Sequence, residues 1–213
     1  MLEIRFDGVS QEFEGREVLH KVTCSFHAGR VTAIAGANGS GKSTLLRIAA
    51  RLMLPSSGTV DTIRDGAPVG GAEYRSMLSM ATPEMELYTR LTVRENLSFL
   101  LSARGAACGE EELKALTARV GLPPEVLSRT AGQLSTGMRQ RVRLAVLLGV
   151  DAEIWLLDEP GLALDERGRA LLMNEVRRAA ECGRLVLWAT NDREEREAAD
   201  ACIDLSCDVS GCL

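Results

Sequence analysis

The stretch Gly36-Ala37-Asn38-Gly39-Ser40-Gly41-Lys42-Ser43-Thr44 limits what this chain can fold into more than any other part of it. It matches the pattern G-x-x-x-x-G-K-[S/T], and its surroundings suit the pattern. VTAIAG before it is a short apolar run stopped by glycine, which predicts a buried strand. KSTLLRIAARLML after it has helical spacing and predicts a helix that ends at Pro55. Between a strand and a helix, glycines let successive backbone N–H groups turn inward around phosphate oxygens, and the helix N-terminus adds its partial positive charge. In such a loop Lys42 reaches the β- and γ-phosphates of a nucleotide, and the Ser43 hydroxyl binds Mg²⁺. A merely glycine-rich turn needs none of this context.

The rest of the chain supplies an α/β frame. LEIRFDGV and VLHKVTCSF alternate as antiparallel strands with one solvated face, and SGTVDTI reads as another strand. From about Arg90 to Val150 the character changes. LTVRENLSFLLSAR, EEELKALTARV and LSTGMRQRVRLAVLLGV are all helical, with no strand between them. Strand–helix–strand alternation then returns as EIWLLD, ERGRALLMNEVRRAAE and RLVLWAT. A helical insert of about 60 residues thus interrupts an α/β core.

Composition excludes several classes. The 213 residues allow one domain with a sizeable core, or one domain carrying an insertion. A net charge of −5 argues against nucleic acid as the main partner. No apolar run approaches the ~20 residues that cross a bilayer, and MLEIRFDGVS is no signal peptide. The expectation is a soluble, intracellular chain that works at a membrane only if another subunit holds it there. The six cysteines are then reduced thiols. Cys202, Cys207 and Cys212 lack the C-x-x-C spacing of a zinc site and read as small apolar residues of a terminal strand.

Two further strand ends carry chemistry. Ile154 to Glu159 is an apolar strand closing in two carboxylates. Beside a phosphate-binding loop, Asp158 helps hold Mg²⁺, and Glu159 orients and deprotonates an attacking water. LVLWATND presents Thr190 and Asn191 at the carboxyl edge of the next strand, where α/β proteins bind ligands. Ser135 and Gly137 at the start of a helix form a second anion site. Arg139, Arg141 and Arg143 read as a solvated or salt-bridged helix face, and Arg193, Glu194, Glu195, Arg196 and Glu197 as a solvated one.

Leu134-Ser135-Thr136-Gly137-Met138 resembles the LSGGQ-type signature of the ATP-binding cassette (ABC) ATPases, departing from the commonest letters at Thr136 and Met138. With the loop and the acidic strand end, the resemblance covers essentially the whole chain. It implies an α/β fold: a P-loop NTPase core with an N-terminal antiparallel β-subdomain and an inserted all-helical subdomain. The expected layout is one ABC ATPase domain over 1–213, with its core at roughly 1–83 and 150–213 and the helical part at roughly 84–149.

The resemblance also implies roles. Gly36, Ala37, Asn38, Gly39, Ser40, Gly41, Lys42, Ser43 and Thr44 would bind ATP, and Ser43 and Asp158 would bind Mg²⁺. Phe13 would stack on adenine, or else it is a packed strand-end phenylalanine. The signature, Leu134 to Met138, would close on ATP held by a second cassette packed head to tail, and Asp165 in GLALD would communicate across that dimer. LTVRENL resembles the opening of the helical subdomain.

Two positions depart from the family pattern. A glutamine usually senses Mg²⁺ and water at the junction of core and helical part; here Ala81-Thr82-Pro83-Glu84-Met85 puts Glu84 in its place, as a catalytic and Mg²⁺-facing residue that adds negative charge. Where the family reads Thr-His-Asp, this chain reads Thr190-Asn191-Asp192. An asparagine amide donates a hydrogen bond to a γ-phosphate but carries no charge and moves no proton. Neither His20 nor His27 is placed to substitute.

The resulting expectation is the ATP-hydrolysing subunit of an ABC transporter, peripheral on the inner face of the cell membrane. Its partners would be integral-membrane subunits and a second cassette, in a homodimer, with no nucleic acid. Short length and a lone cassette look like the small exporter ATPases, such as the haem exporter ATPase of cytochrome c maturation. Glu84 to Asn96, with Met85, Leu87 and Tyr88 as apolar residues of a surface loop, is the expected seat of a membrane subunit's cytoplasmic helix. Two alternatives stay open: a regulatory cassette that closes on ATP with little turnover, and a non-transport ABC ATPase.

Overall fold

Alternation in the opening sequence becomes an antiparallel sheet. The computed structural model of the chain describes residues 1–106, 108–206 and the backbone of 210–212. In it β1 (Leu2–Phe13) pairs antiparallel with β2 (Arg16–His27), Ile4 opposite Phe26 and Phe6 opposite Cys24. Ile4, Phe6, Val9 and Phe26 are fully buried on one face, where the rings of Phe6 and Phe26 meet edge-on at 5.7 Å. β4 (Ser57–Arg64) and β5 (Ala67–Pro68) extend this sheet on one side and β10 (Ser210–Cys212) on the other.

The second sheet has the order β6 (Leu78–Ala81), β7 (Ile154–Asp158), β8 (Leu185–Ala189), β3 (Arg30–Ala35), β9 (Ala201–Asp204). β7 and β8 are buried at every residue, as strands covered on both faces require. The pairing of β7, β8 and β3 is parallel, with Asp158 opposite Ala189 and Ala189 opposite Ile34. This register brings three strands to their carboxyl ends at one level. The segments that leave those ends therefore emerge at a common edge.

Helix α1 (Lys42–Ala49) starts directly after the glycine loop. It stops at Ala49, short of the Pro55 end that the spacing predicts. Arg51 takes a left-handed conformation (φ 56°), its amide donates to Ile48 O and the amide of Leu52 donates to Arg47 O. That reciprocal pair terminates the helix, with arginine where glycine is usual. The guanidinium of Arg51 lies 4.3 Å over the ring of Tyr74, which is fully buried in α2 (Gly71–Met77), an element unmarked in the sequence by periodicity. Burial pushes the Tyr74 hydroxyl up to about 12.

The chain forms two compact units, 1–80 with 153–159 and 176–213, and 81–152 with 160–175. The second holds the expected helices α3 (Val93–Ser102), α4 (Glu110–Arg119) and α5 (Thr136–Val150), and no named strand lies between them. Residues 160–175, which the spacing assigns to the core, fall in this unit, and local bonds explain why. Gln140 donates to Pro160 O at 3.0 Å, Arg141 pairs with Asp165, and Arg119 pairs with Glu175 at 2.5 Å. α6 (Glu166–Glu181) begins in this unit and ends in the first. Among the described residues no helix is long and apolar enough to cross a membrane.

Candidate functional site

The common edge of β3, β7 and β8 carries the loop Gly36–Gly41, the pair Asp158–Glu159 and the pair Thr190–Asn191. The loop needs glycine at two places. At Gly36 (φ 147°) a Cβ would stand 2.3 Å from Ser40 Oγ, and at Gly41 (φ 97°) one would stand 2.7 Å from Leu19 Cδ2. Gly41 caps α1 without any side-chain hydrogen bond, and the amide of Leu45 is the first to bond back into the helix, to Gly41 O at 2.8 Å. The amides of Lys42, Ser43 and Thr44 are therefore left to a ligand or solvent. The buried Ser40 Oγ has no hydrogen-bond partner among the described residues.

Lys42 is only 6% exposed. Its ammonium donates to Gly36 O at 2.9 Å, Ala37 O at 3.2 Å and Asn191 Oδ1 at 2.7 Å, with Glu159 Oε1 at 3.7 Å. A buried ammonium needs such acceptors, and the two carbonyls belong to the loop it serves. Asn191 bridges further, donating from Nδ2 to Asn38 Oδ1. Glu159 adopts a left-handed backbone (φ 46°), uncommon for a non-glycine residue, and its amide donates to Ala189 O at 2.9 Å. Strain of this kind, roughly 1–3 kcal/mol, is held where surrounding structure over-determines it, and such positions cluster at functional sites. Asp158, 6% exposed, ends β7 beside it.

Thr190 departs from the expectation of a ligand-facing side chain. It is fully buried, and its hydroxyl donates to Glu195 Oε2, which also accepts from Trp188 Nε1 at 3.0 Å. Glu195, expected on a solvated face of α7 (Arg193–Glu197), is 4% exposed. The two donors at the strand end reward burial of that carboxylate. On the same helix Arg196 lines a cleft of about 360 Å³ together with Gly36, Ala37, Asn38, Asn191, Asp204 and Ser206. Sequence spacing marked neither role, because a five-residue helix shows no periodicity. Phe13 ends β1 and is 42% exposed.

The other expected residues lie in the second unit. Ser135 caps α5, its hydroxyl accepting from the Met138 amide at 3.2 Å; Leu134 is buried and Thr136 exposed. Gly137 approaches Ala163 O so closely that a Cβ would come within 2.6 Å. Ser135, Thr136, Gly137, Met138 and Asp165 share a cleft of about 670 Å³. Asp165 accepts from the Gly168 amide at 2.8 Å and from Arg141, and these hold its carboxyl below the usual carboxylate range, the amide contributing most. Arg141 is therefore salt-bridged, and it is no solvated residue: it is 11% exposed and donates to Val120 O and Gly121 O. Glu84 is exposed in the segment after β6. Of the apolar trio nearby, Tyr88 is exposed and packs edge-on with Phe99 at 5.3 Å, but Leu87 is buried at 6%, contrary to a surface-loop role. Cys202 lies exposed in β9; Cys207 and the side chain of Cys212 lie outside the described residues.

The first-unit site suits a nucleoside triphosphate. An uncapped helix start, a buried lysine at its first residue and glycines at steric limits form a phosphate cradle. Ser43 and Asp158 are oxygen donors, which suits Mg²⁺ completed by water and phosphate oxygens. Similarity to known proteins identifies the family. The family model "ABC transporter" matches residues 19–161. The probable multidrug ABC transporter ATP-binding protein YbhF of Escherichia coli is 33% identical over 198 residues, 91% of this chain and 34% of its own length. The sulfate/thiosulfate import ATP-binding protein CysA of Brucella melitensis is 32% identical over 216 residues, 96% of this chain and 59% of its own. The chain thus spans about a third to three-fifths of the curated relatives it matches. The dimeric bacterial ABC transporter cassette MJ0796 superposes with a TM-score of 0.82 at 26% identity, covering 94% of this chain and 93% of that one. A post-hydrolysis structure of the same cassette, bound to ADP and Pi, gives 0.81. By its motifs, its fold and these relatives, this chain belongs to the ABC transporter family, as an ATP-binding cassette.

Proposed function

We propose that this cassette binds and hydrolyses ATP and, by pairing head to tail with a second copy, drives separate membrane subunits of a transporter. The observation that carries this reading is the buried Lys42 ammonium, 2.7 Å from Asn191 Oδ1 and 3.7 Å from Glu159 Oε1, at the mouth of the glycine loop. The loop amides and Lys42 hold the phosphates, and exposed Phe13 offers a ring to the adenine. Ser43 and Asp158 would hold Mg²⁺, which would supply charge neutralisation to the triphosphate. Glu159 takes a proton from water as its oxygen attacks the γ-phosphorus, and the β–γ bridging oxygen leaves with ADP. Asn191 donates to a γ-phosphate oxygen, and Glu84 would stand in for the glutamine that senses Mg²⁺ and water. Leu134 to Met138 serve the partner's ATP, with Asp165 signalling between the two.

The reading extends to a cassette at the inner face of a membrane, with the Glu84–Asn96 segment receiving a helix of the membrane subunit; exposed Tyr88 and Phe99 supply its apolar surface. A resemblance to haem-exporter ATPases remains part of the proposal. A second reading, a regulatory cassette of low turnover, draws on Asn191, whose side chain is already engaged by Lys42 and Asn38.

Turnover and nucleotide binding separate the two. Glu159→Gln is expected to nearly abolish hydrolysis while keeping ATP bound. Asn191→His is expected to raise turnover, by up to ~10²-fold if one charge-assisted contact to the transition state is restored. Turnover unchanged by both substitutions would leave the regulatory reading standing.

A further inference from the structure

We propose that Arg196 binds the terminal phosphate of the nucleotide, supplying the positive charge that Asn191 lacks. The inference rests on the ATP-binding reading of the loop. Asp192 caps α7, accepting from the amides of Glu194 at 2.8 Å and Glu195 at 3.3 Å, and two consecutive side chains of that helix then diverge. Glu195 turns into the core to meet Trp188 and Thr190, while Arg196 lines the cleft shared with Gly36, Ala37, Asn38 and Asn191. Arg196 Nε is buried there with no hydrogen-bond partner among the described residues. A guanidinium donor in that condition lacks a compensating acceptor, and an anion in the cleft provides one.

The location selects which phosphate. A loop lysine of this kind reaches the β/γ end of a triphosphate. Asn191 both accepts from Lys42 Nζ and walls the cleft, so the cleft borders the residue that meets the loop lysine. Asn191 gives one of its two amide hydrogens to Asn38 and carries no charge, so its remaining hydrogen offers the phosphate only a neutral donor. A planar guanidinium fork is the side chain best matched to a phosphate, and on the short helix after the capped turn it is held near the site without belonging to the loop. One carboxylate shares the cleft. Asp204 is held by the Ser206 hydroxyl and by the Ser206 amide at 2.9 Å, which lower its pKa first; the Arg196 charge contributes least. Its charge opposes an anion rather than replacing one.

The test is titration calorimetry of the full chain with Mg-ATP and Mg-ADP, in a Glu159→Gln background so that ATP persists. Arg196→Ala is expected to weaken ATP binding roughly tenfold and ADP binding less than about twofold, with Arg196→Lys recovering part of the loss. Asp204→Asn is expected to tighten ATP binding. If Arg196 merely neutralises Asp204, then adding Asp204→Asn to Arg196→Ala restores ATP affinity in full, and the proposal fails. It fails equally if ATP and ADP affinities fall together, or if neither changes. Melting curves of each variant separate a folding defect from a lost contact. Lys42→Ala is the control for the underlying reading: if it too leaves ATP affinity untouched, the loop is no nucleotide site, whereas its loss of binding beside an unaffected Arg196→Ala overturns the Arg196 role alone.

Discussion

At the scale of single residues, the strand end 188–192 shows how polar groups divide between structure and chemistry. Thr190 and Asn191 are neighbours at a carboxyl edge, yet one turns inward to Glu195 and the other outward to Lys42. Glu195 accepts from both Trp188 Nε1 and Thr190 Oγ1, so its loss strands two buried donors. Glu195→Ala should destabilise the protein by about 2–4 kcal/mol, taking roughly 1–3 kcal/mol per unpaired buried group and some relaxation. Chemical denaturation measures it, and a loss under about 1 kcal/mol would mean that the pocket rehydrates. The pattern of charges around Glu195 in sequence resembles a solvated face. Burial was invisible there because the partner donors lie on a strand, and no one-dimensional spacing records that strand's distance.

At the scale of elements, termini carry much of the information. α3 opens with a reciprocal box: the Glu95 amide donates to Thr92 Oγ1 at 3.2 Å, and the Thr92 amide donates to Glu95 Oε2 at 2.7 Å. The Thr92 amide and then its hydroxyl hold the Glu95 carboxyl below its ordinary value of 4.5. Because the folded pKa is the lower one, the charge stabilises the fold above pH 4.5 and that contribution is lost as pH falls through the folded value. Glu95→Gln, which keeps the box but removes the charge, should therefore melt lower than wild type near neutral pH. The gap should close below pH 4.5; a gap independent of pH would remove the charge from the account. LTVRENLSFLLSAR was legible as a helix by its spacing, and the structure adds the box that opens it. The end of α1 was not. Its stop depends on Arg51 accepting a left-handed backbone, supported by Tyr74 from a separate helix, α2.

At the scale of the whole molecule, the loop and the signature lie in different units, 1–80 with its companions and 81–152 with 160–175. If each signature serves a partner's nucleotide, Mg-ATP with Glu159→Gln should convert the chain to a dimer holding two nucleotides, seen by light scattering during size exclusion. A chain that stays monomeric at saturating Mg-ATP would count against head-to-tail closure. The cassette MJ0796, which shares this fold, is solved as a dimer.

The sequence by itself determined the α/β frame, its longer strands and helices, the helical insert and the residues at three strand ends. Each of these comes from a period, a cap or a motif that spans only a few neighbouring residues. The tertiary structure alone decided that Asp158, Ala189 and Ile34 stand in one register, which is what gathers Lys42, Glu159 and Asn191. It alone decided that Arg141 is half-buried and paired with Asp165, that Glu195 is internal and that Arg196 faces the cleft. The reason is physical: burial and hydrogen-bond partners depend on what lies across space, and strands adjacent in the sheet, such as β3 and β8, are far apart in the chain.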